Sequence, residues 1–267
     1  MKEIEKFGRQ VILKYCVKNI VRSDSKVKGV ILSNGNRCFA KKIISNSDIN
    51  YTLQTLLNVS PKSSPMKCLN KFKPSQSIFI TYVLLKKRIS DMYKYAPGLW
   101  CLLDNKIIDE EINKESQGVM LNNSFFISFA SKLDASLSPP GRDYLRIMIN
   151  ASYESKEFWR KYSKKLSVNL VNAAAKLLPS LRDDSIDCFG RASPITMSNY
   201  TYNSNGSVAG WLNNSTQIQD PITNHLPNIS GLFFAGHWVT QAYGNGGVAM
   251  AADSGRRAAK KVLASER

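Results

Sequence analysis

The residues best suited to bind a ligand lie close together near the end of the chain, between Gly231 and Leu263. The apolar run 232–235, bounded by Gly231 and Gly236, predicts a short buried strand. A loop rich in glycine, aromatic and amide residues follows as far as Gly246, and a helical pattern of small residues comes next. A strand, a glycine loop and a helix in this order bring backbone N–H groups up to a bound anion or a cofactor carbonyl.

The same segment contains a dinucleotide-binding pattern that does not fit its context. Gly244, Gly246 and Ala249 match G-x-G-x-x-A. That pattern works at a tight turn directly after a strand, inside a βαβ unit. Here the loop between strand and glycines is too long, and we expect no second strand or acidic ribose partner after it. We therefore interpret the segment as a helix N-terminus facing a cofactor, the alternative being a glycine loop that only lets the helix pack.

The C-terminal helix is expected to pack on a sheet through its small residues. These recur at helical spacing as Val248, Ala251, Ala252, Gly255, Ala259 and Val262. Small side chains let a helix lie close to a sheet, and the Arg and Lys residues late in the helix suit the negative end of its dipole.

The first 60 residues predict a small antiparallel meander and a short helix. The expected strands are 10–21, 27–32 and 39–44. Asn34-Gly35 between the last two is a strong turn signal. Residues 47–57 predict the helix, with Asp48 in its first turn, and the Pro- and Ser-rich stretch 61–65 is interpreted as a domain boundary.

The middle of the chain predicts a sheet covered by one long helix. Three β-prone segments lie at 77–85, 123–130 and 144–151. They lack the alternating helices of a parallel sheet, so a mixed or antiparallel sheet is expected. Apolar residues every three to four positions predict a helix over 154–178, and the polar stretch 196–211 is typical of a surface loop.

Three segments resemble one known family, in the order in which that family has them. Residues 231–263 resemble the C-terminal flavin-binding motif of the FAD-dependent phytoene desaturase and carotenoid isomerase family, within the amine-oxidase-like flavoproteins. Residues 192–211, ASPITMSNYTYNSNGSVAGW, are similar to its threonine-proline and Gly-x-x-x-Gly-Trp stretch. Residues 17–48 resemble its β-hairpin and the I-S-N-x-D end of its flavin domain.

The resemblance implies an α/β fold made of two parts. One is the C-terminal part of a Rossmann-like FAD-binding domain, expected at residues 1–60 and 222–267. The other is a substrate domain with a mixed or antiparallel sheet and helices, expected at 61–221. In the family, an N-terminal βαβ unit with a tight Gly-x-Gly-x-x-Gly turn binds the ADP pyrophosphate, and this sequence shows no such turn. We expect that unit to be missing from the chain.

The resemblance also assigns an FAD site and a substrate pocket. Gly236 ends the strand, and Gly246, Gly247 and Val248 stand where the family presents backbone N–H groups to the C2 carbonyl side of the flavin. His237 stands where many relatives have an aspartate that contacts the ribityl or pyrophosphate region. The candidate pocket residues are Thr196, Tyr200, Gly206, Gly210 and Trp211, which are equally typical of simple packing. No catalytic residue is assigned.

Composition limits the remaining functional classes. The chain has 267 residues, 37 Lys and Arg, 20 acidic residues and a net charge of +17. That charge is scattered, which is typical of a solvated basic surface but also suits an anionic membrane. Five cysteines without a C-x-x-C pair and only two histidines argue against disulfides and metal, and no signal or membrane span is evident. A cytoplasmic, peripheral membrane location is expected.

The sequence therefore predicts an FAD-dependent oxidoreductase acting on an isoprenoid, a polyene or a similar apolar substrate by desaturation, saturation or isomerisation. We expect it to need an amino-terminal partner polypeptide for full FAD binding. One alternative is a non-catalytic remnant that kept the scaffold. Another is a basic protein that binds a membrane surface or nucleic acid; no RNA-recognition or zinc-finger signature is present, so a nucleic-acid partner is not expected.

Overall fold

The computed structural model describes residues 2–89, 97–102, 108, 110–116, 124–181, 185–212, 228–239 and 247–265. The chain forms two compact units. The terminal unit combines residues 1–73 with 210–267, and the central unit comprises residues 74–209. The assignment of these regions to FAD and substrate binding stays a prediction at this stage.

The terminal unit begins with a helix and an antiparallel meander. The elements are α1 (Lys2–Lys6), β1 (Val17–Ser23), β2 (Lys26–Leu32) and β3 (Arg37–Phe39), with sheet order β1-β2-β3. The strand predicted over 10–21 is wrong in its first part, because the pairing starts only where Val17 meets Leu32. Lys14 has a φ of +68°, which a β-strand does not accommodate. The turn at Asn34-Gly35 is confirmed, with Gly35 at φ +85°.

The third predicted strand, 39–44, is in fact parts of two strands in two sheets. After β3, β4 (Ile43–Ser45) pairs in parallel with β10 (Leu232–Phe234). Ala40 N–H still donates to Lys28 in the meander, whereas Ile43 N–H donates to Gly231. The chain therefore changes sheets over residues 40–42, which local sequence pattern does not reveal.

The helix predicted over 47–57 is confirmed in place but not in type. Residues 51–56 form a π-helical turn, Tyr51–Leu56. Asp48 is fully buried and its Oδ1 accepts the backbone N–H groups of Asn50 at 2.6 Å and Tyr51 at 3.2 Å. A second short helix, α2 (Ser64–Leu69), occupies the stretch interpreted as a break. Both helices bury apolar side chains in the core of the terminal unit.

The C-terminal helix α7 (Val248–Ala264) is confirmed, and the face expected to pack is right in part, because Ala251, Gly255 and Val262 are half-buried. Its fully buried residues are Ser254 and Ala258, whereas Val248 is 89% exposed and Ala252 and Ala259 are also exposed. Because residues 254 and 258 are four apart, they lie on one side of the helix. A buried serine at the centre of that side was not expected from hydrophobic periodicity.

The central unit is built on a five-stranded sheet with order β6-β7-β8-β5-β9. Its strands are β5 (Ser77–Leu85), β6 (Gly98–Leu102), β7 (Ser124–Phe129), β8 (Tyr144–Ala151) and β9 (Ile186–Ala192). All the described strand pairings are antiparallel. Of the two expected alternatives, a mixed or an antiparallel sheet, the structure shows the antiparallel one. The strands predicted at 77–85 and 144–151 are confirmed to the residue, and β6 and β9 were not predicted.

Four helices accompany this sheet, together with short 3₁₀ turns at Ala135–Leu137 and Ser204–Gly206. They are α3 (Glu110–Glu115), α4 (Ala130–Leu133), α5 (Lys156–Leu177) and α6 (Pro194–Thr201). The long helix α5 confirms the prediction and begins at the cap Ser155, whose Oγ accepts Phe158 N–H at 3.1 Å. Its apolar side packs on one face of the sheet, where Trp159 stacks on Phe79 at 5.3 Å between ring centroids.

Helix α6 replaces the surface loop expected from residue 196 onward. Ser193 and Thr196 form a reciprocal capping box, and Pro194 occupies the first turn, where its missing N–H is not needed. Tyr202 closes the helix in the left-handed conformation at φ +57°. The helix has only eight residues, which is too few for a clear apolar repeat. The Asn, Ser and Gly residues that follow it made the whole stretch look like a loop.

Candidate functional site

The strand ends of the terminal unit's parallel pair form the framework of the site. In β4 and β10, Phe234 lies opposite Ser45, and Ala235 N–H donates to the Ser45 carbonyl at 2.9 Å. Parallel strands end at the same edge of a sheet, and ligands of α/β proteins bind outside the carboxyl ends of such strands. Asn46 and Gly236 follow the two strands at this edge.

Gly236 joins three segments through close backbone contacts. Its φ is +93°, and a Cβ at this position would overlap Asn46 Oδ1. Its N–H donates to Ser254 Oγ at 2.7 Å, which ties the end of β10 to the middle of α7. Only glycine meets both requirements, because it accepts the positive φ and leaves room for the asparagine.

His237 begins a 3₁₀ turn, His237–Val239, that packs against Gly210 and Trp211. Gly210 has a φ of +75°, and a Cβ there would overlap the carbonyl oxygen of His237 and lie 2.9 Å from its carbonyl carbon. Trp211 Nε1 donates to the Trp238 carbonyl at 3.0 Å, and the two indoles meet edge to face at 4.8 Å. The structure therefore brings four of the predicted residues together: Gly236, His237, Gly210 and Trp211.

Burial keeps the His237 imidazole in its neutral form. Desolvation lowers the pKa of His237 below its ordinary value of 6.5, and the nearby Asp48 carboxylate acts in the opposite direction. Since burial is the larger effect, the ring is neutral at pH 7 and offers one N–H donor and one nitrogen acceptor. A neutral imidazole can still form hydrogen bonds to a ligand at this position.

The lowered pKa of His237 predicts a loss of stability on acidification. The unfolded chain takes up the proton at a higher pH than the folded chain, so the contribution is complete above about pH 6.5 and declines as the pH falls through the folded-state value. The free energy of unfolding of the wild type should therefore fall between pH 7.5 and 5 more than that of His237→Asn, measured by urea unfolding. A pH-independent difference between the two proteins would contradict this assignment.

The start of α7 has the features needed to hold an electron-rich carbonyl. No side chain caps Gly247, and the first turn of this 17-residue helix carries no acidic residue. Among the described residues, no atom lies within 4 Å of a Cβ built at Gly247. The first N–H groups of a helix lack intrahelical acceptors and carry partial positive charge. The contact of Gly247 and Val248 with the C2 carbonyl side of a flavin stays a prediction, and Gly246 lies outside the described residues.

Thr196 and Tyr200 lie in the other unit, on α6. The Thr196 hydroxyl belongs to the capping box, where it accepts Ser193 N–H at 3.2 Å. Tyr200 is 84% exposed. The packing of Trp211 and the capping by Thr196 are structural roles of their own. Participation of the five candidate residues, Thr196, Tyr200, Gly206, Gly210 and Trp211, in a substrate pocket stays a prediction.

Sequence reasoning missed three residues that organise the site. Ser254 and Asn46 contact Gly236, as described above. Arg257 donates from Nη2 to the Val239 carbonyl at 3.0 Å and pairs through Nη1 with Asp253 at 3.0 Å. A serine and an arginine within a helix of small residues are visible in the sequence as departures from its pattern, but their contacts with Gly236 and Val239 depend on how the helix packs. Among the described residues no cluster of potential metal ligands occurs.

Comparison with known proteins identifies the family of the chain. The family of flavin containing amine oxidoreductases matches residues 1–263. A zeta-carotene-forming phytoene desaturase of Myxococcus xanthus is 25% identical over 230 residues, which are 82% of this chain and 42% of that protein. Prolycopene isomerase 2 of an Oncidium hybrid cultivar is 26% identical over 67% of this chain and 30% of its own length. The chain thus corresponds to less than half of these relatives.

Solved structures agree on the fold. An oxidoreductase from Methanosarcina mazei matches 96% of this chain and 52% of its own with a TM-score of 0.60 and 15% identity. Cyclohexylamine oxidase from Brevibacterium oxydans matches 96% of this chain and 49% of its own with a TM-score of 0.56 and 13% identity. At this identity the likeness shows an α/β fold and nothing about cofactor or substrate.

The resemblance derived from the three sequence segments is confirmed by the family match, and with it FAD as the cofactor. The start of α7, with no side-chain cap at Gly247 and no acidic residue in its first turn, offers backbone N–H donors that suit a carbonyl of that cofactor. The chain belongs to the flavin-containing amine oxidoreductase family and is similar within it to carotenoid desaturases and isomerases.

Proposed function

We propose that this chain is the cofactor- and substrate-binding portion of an FAD-dependent oxidoreductase that desaturates, saturates or isomerises an isoprenoid, polyene or similar apolar chain. The relatives named as phytoene desaturase and prolycopene isomerase support the class of substrate. FAD supplies redox chemistry when bound, by accepting a hydride or returning one.

The observation that carries the proposal is the second face of the central unit's sheet. On β5, β7 and β8, every second side chain points into the core beneath α5, and the side chains between them point to the opposite face. Most of the side chains on that opposite face are apolar or aromatic and are not fully buried. They include Ile78, Tyr82, Trp100, Phe126, Tyr144 and Met148. A cavity of about 120 Å³ on this face is lined mainly by such side chains. A face of this kind favours contact with a flat, apolar chain over contact with water.

The terminal unit's own residues would hold the cofactor. The N–H groups of Gly247 and Val248 would donate to the C2 carbonyl side of the isoalloxazine, and the positive end of α7 would stabilise negative charge that collects there on reduction. Neutral His237, beside Gly236, would hydrogen-bond the ribityl or pyrophosphate region. Since none of these groups needs to change its protonation state, their contribution is to bind and orient.

We further propose that tight FAD binding needs the βαβ unit that holds the ADP moiety. The relatives are more than twice as long as the part that this chain matches, which supports an additional unit. It can be supplied by a preceding segment or by a separate polypeptide. In either case the residues described here supply the flavin end of the cofactor site.

Association with an anionic membrane surface is a weaker part of the proposal. The exposed side of α5 carries several lysines, but Lys161 pairs with Glu115 at 2.6 Å and Lys165 with Glu111 at 3.0 Å. These ion pairs with α3 take up part of the basic charge. No helix in the described parts of the chain is long and apolar enough to cross a bilayer.

Gly247→Asp tests the proposed flavin contact. We expect it to weaken FAD binding about tenfold, because a carboxylate at the helix N-terminus would repel an electron-rich carbonyl. The free energy of unfolding should not fall, because aspartate is a favourable N-cap. The readout is visible absorbance on titration with FAD, with and without the product of the gene that lies upstream.

Ala252→Asp, on the exposed side of the same helix, is the control and should leave FAD binding unchanged. Equal FAD binding by wild type and Gly247→Asp would contradict the assignment of α7. No flavin in the wild type under either condition would favour the remnant interpretation. Flavin that binds only with the upstream product would justify a substrate search among polyenes.

A further inference from the structure

Among the described strands of the central sheet, the apolar face carries one charged side chain, that of Arg146. It faces the same side as its register partners, Ser128 on β7 and Tyr82 on β5. Its Nη2 donates to Ser128 Oγ at 3.2 Å. The next row of side chains along these strands is apolar, with Phe126, Met148 and Ile80 aligned across the sheet.

The guanidinium of Arg146 is only partly satisfied by the protein. Its Nε is enclosed and finds no hydrogen-bond acceptor among the described residues. No carboxylate among the described residues forms an ion pair with it. An arginine has five N–H donors, and leaving a partly buried guanidinium without an anion is unfavourable. This arrangement is typical of a cation that receives its partner from outside the chain.

Two phenol groups lie beside this cation. Tyr82 and Tyr144 stack nearly parallel, with ring centroids 6.0 Å apart and an angle of 10°. Burial and the neighbouring Tyr82 raise the pKa of Tyr144, and Arg146 acts in the opposite direction. The Tyr144 phenol therefore stays protonated near neutral pH and can donate its O–H group, and the Tyr82 hydroxyl adds a second polar group at the same place. Arginine and tyrosine donors next to an apolar surface suit a ligand with one polar end.

The cavity on this face begins one row away from Arg146. Trp100, Phe126 and Met148 lie in the adjacent row, and Ile78 and Asn150 lie in the row beyond. Successive residues on one face of a strand are about 7 Å apart. An extended chain with its end at Arg146 would thus run directly over the apolar rows.

We propose that Arg146 binds the carboxylate end of an otherwise apolar chain whose tail lies over Phe126 and Met148. This inference rests on the proposed function and narrows its substrate from any apolar chain to one with an acidic end. A hydrocarbon polyene offers no acceptor and would leave the guanidinium unpaired. A carboxylate matches the planar fork of arginine and forms charge-assisted hydrogen bonds with it.

The test compares two probes that differ only in the carboxylate, cis-parinaric acid and its methyl ester, by their fluorescence on binding to the full chain. We expect the wild type to bind the acid at least about tenfold more tightly than the ester, as one charge-assisted hydrogen bond gives. Arg146→Met should lose that preference and keep the affinity for the ester. Arg146→Lys should keep part of it, because the charge remains but the fork is lost.

Arg191→Met is the matched control. Arg191 lies opposite Thr81 on the other face of the sheet and is exposed, so its removal takes away one charge without touching the apolar face. Since the chain has a net charge of +17, any anion is attracted to it, and this control separates general attraction from a specific site. The acid preference should survive in Arg191→Met.

Each outcome decides the question. Equal affinity of the wild type for acid and ester overturns the role of Arg146 but leaves an apolar substrate in place. An equal loss in Arg146→Met and Arg191→Met also overturns it. Failure of both probes to bind counts against the apolar-chain proposal itself. If Arg146→Met does not fold, the wild-type comparison and Arg146→Lys are sufficient. A preference for the acid that is unchanged in Arg146→Lys would show that the planar guanidinium does not bind the carboxylate.

Discussion

Gly210→Ala is expected to lower the free energy of unfolding of the terminal unit by about 2–4 kcal/mol. Gly210 has a φ of +75°, where an L-residue is strained, and the added Cβ would overlap the backbone carbonyl of His237. Backbone cannot rotate away as a side-chain end can, so the 3₁₀ turn that carries His237 would have to move. Urea unfolding followed by tryptophan fluorescence suits this measurement, because Trp211 and Trp238 lie in that unit.

Gly255→Ala is the matched control, with an expected effect of opposite sign. A Cβ at Gly255 would meet nothing within 4 Å, and the residue lies inside helix α7. Alanine is more favourable than glycine in a helix by about 0.5–1 kcal/mol. If Gly210→Ala were as stable as the wild type while Gly255→Ala behaved as expected, the close approach of Gly210 to His237 would be refuted.

Phe79→Ala is expected to cost the central unit about 3–5 kcal/mol of stability. Phe79 is fully buried on β5 and stacks on Trp159 of α5, so its removal opens a cavity between the sheet and its main helix. A loss of this size is a large fraction of the stability of a typical domain. The expected result is a marked shift of the unfolding transition to lower urea concentration.

Phe39→Ala makes the same chemical change at a surface position. Phe39 is 83% exposed at the end of β3, and its replacement should change the free energy of unfolding by less than about 0.5 kcal/mol. Similar losses in the two variants would show that Phe79 does not lie in a packed core.

The elements that sequence predicted well are those whose signal is local. β5 and β8 are continuous or alternating apolar runs of eight or nine residues bounded by polar residues, and α5 repeats its apolar residues over 22 positions. Such periodicity reports directly which side is buried. The turn at Asn34-Gly35 was found for the same reason, since two residues are sufficient to specify it.

The errors have a different origin in each case. Residues 39–44 look like one strand because nothing local marks the change from one sheet to another. Helix α6 is too short to repeat an apolar stripe, and what marks its start is the capping box of Ser193 and Thr196. The π-helical turn at 51–56 differs from an α-helix by one residue in its hydrogen bonds, a difference that composition does not encode.

The site was predictable only as far as it is local. Gly236, His237 and the start of α7 were found from one segment and its family resemblance. Their partners, Asn46, Asp48 and Gly210, come from elsewhere in the chain, and which of them meet depends on the fold. The sequence alone does not single out Arg146, because a charged residue on the outer face of an alternating strand is common. Its position is unusual only because the next row of side chains on the adjacent strands is apolar.

The parallel pairing of β4 with β10 has a consequence for biosynthesis. A ribosome completes β4 early, but its hydrogen-bonding partner emerges only after residue 234, when the whole central unit has already left the exit tunnel. The sheet that supports Gly236 is therefore a late, high-contact-order event in folding, whereas the antiparallel ladders of the central unit close among strands made earlier. Until then the edge of β4 is open, and nascent chains of this protein have their greatest need of chaperones in that interval.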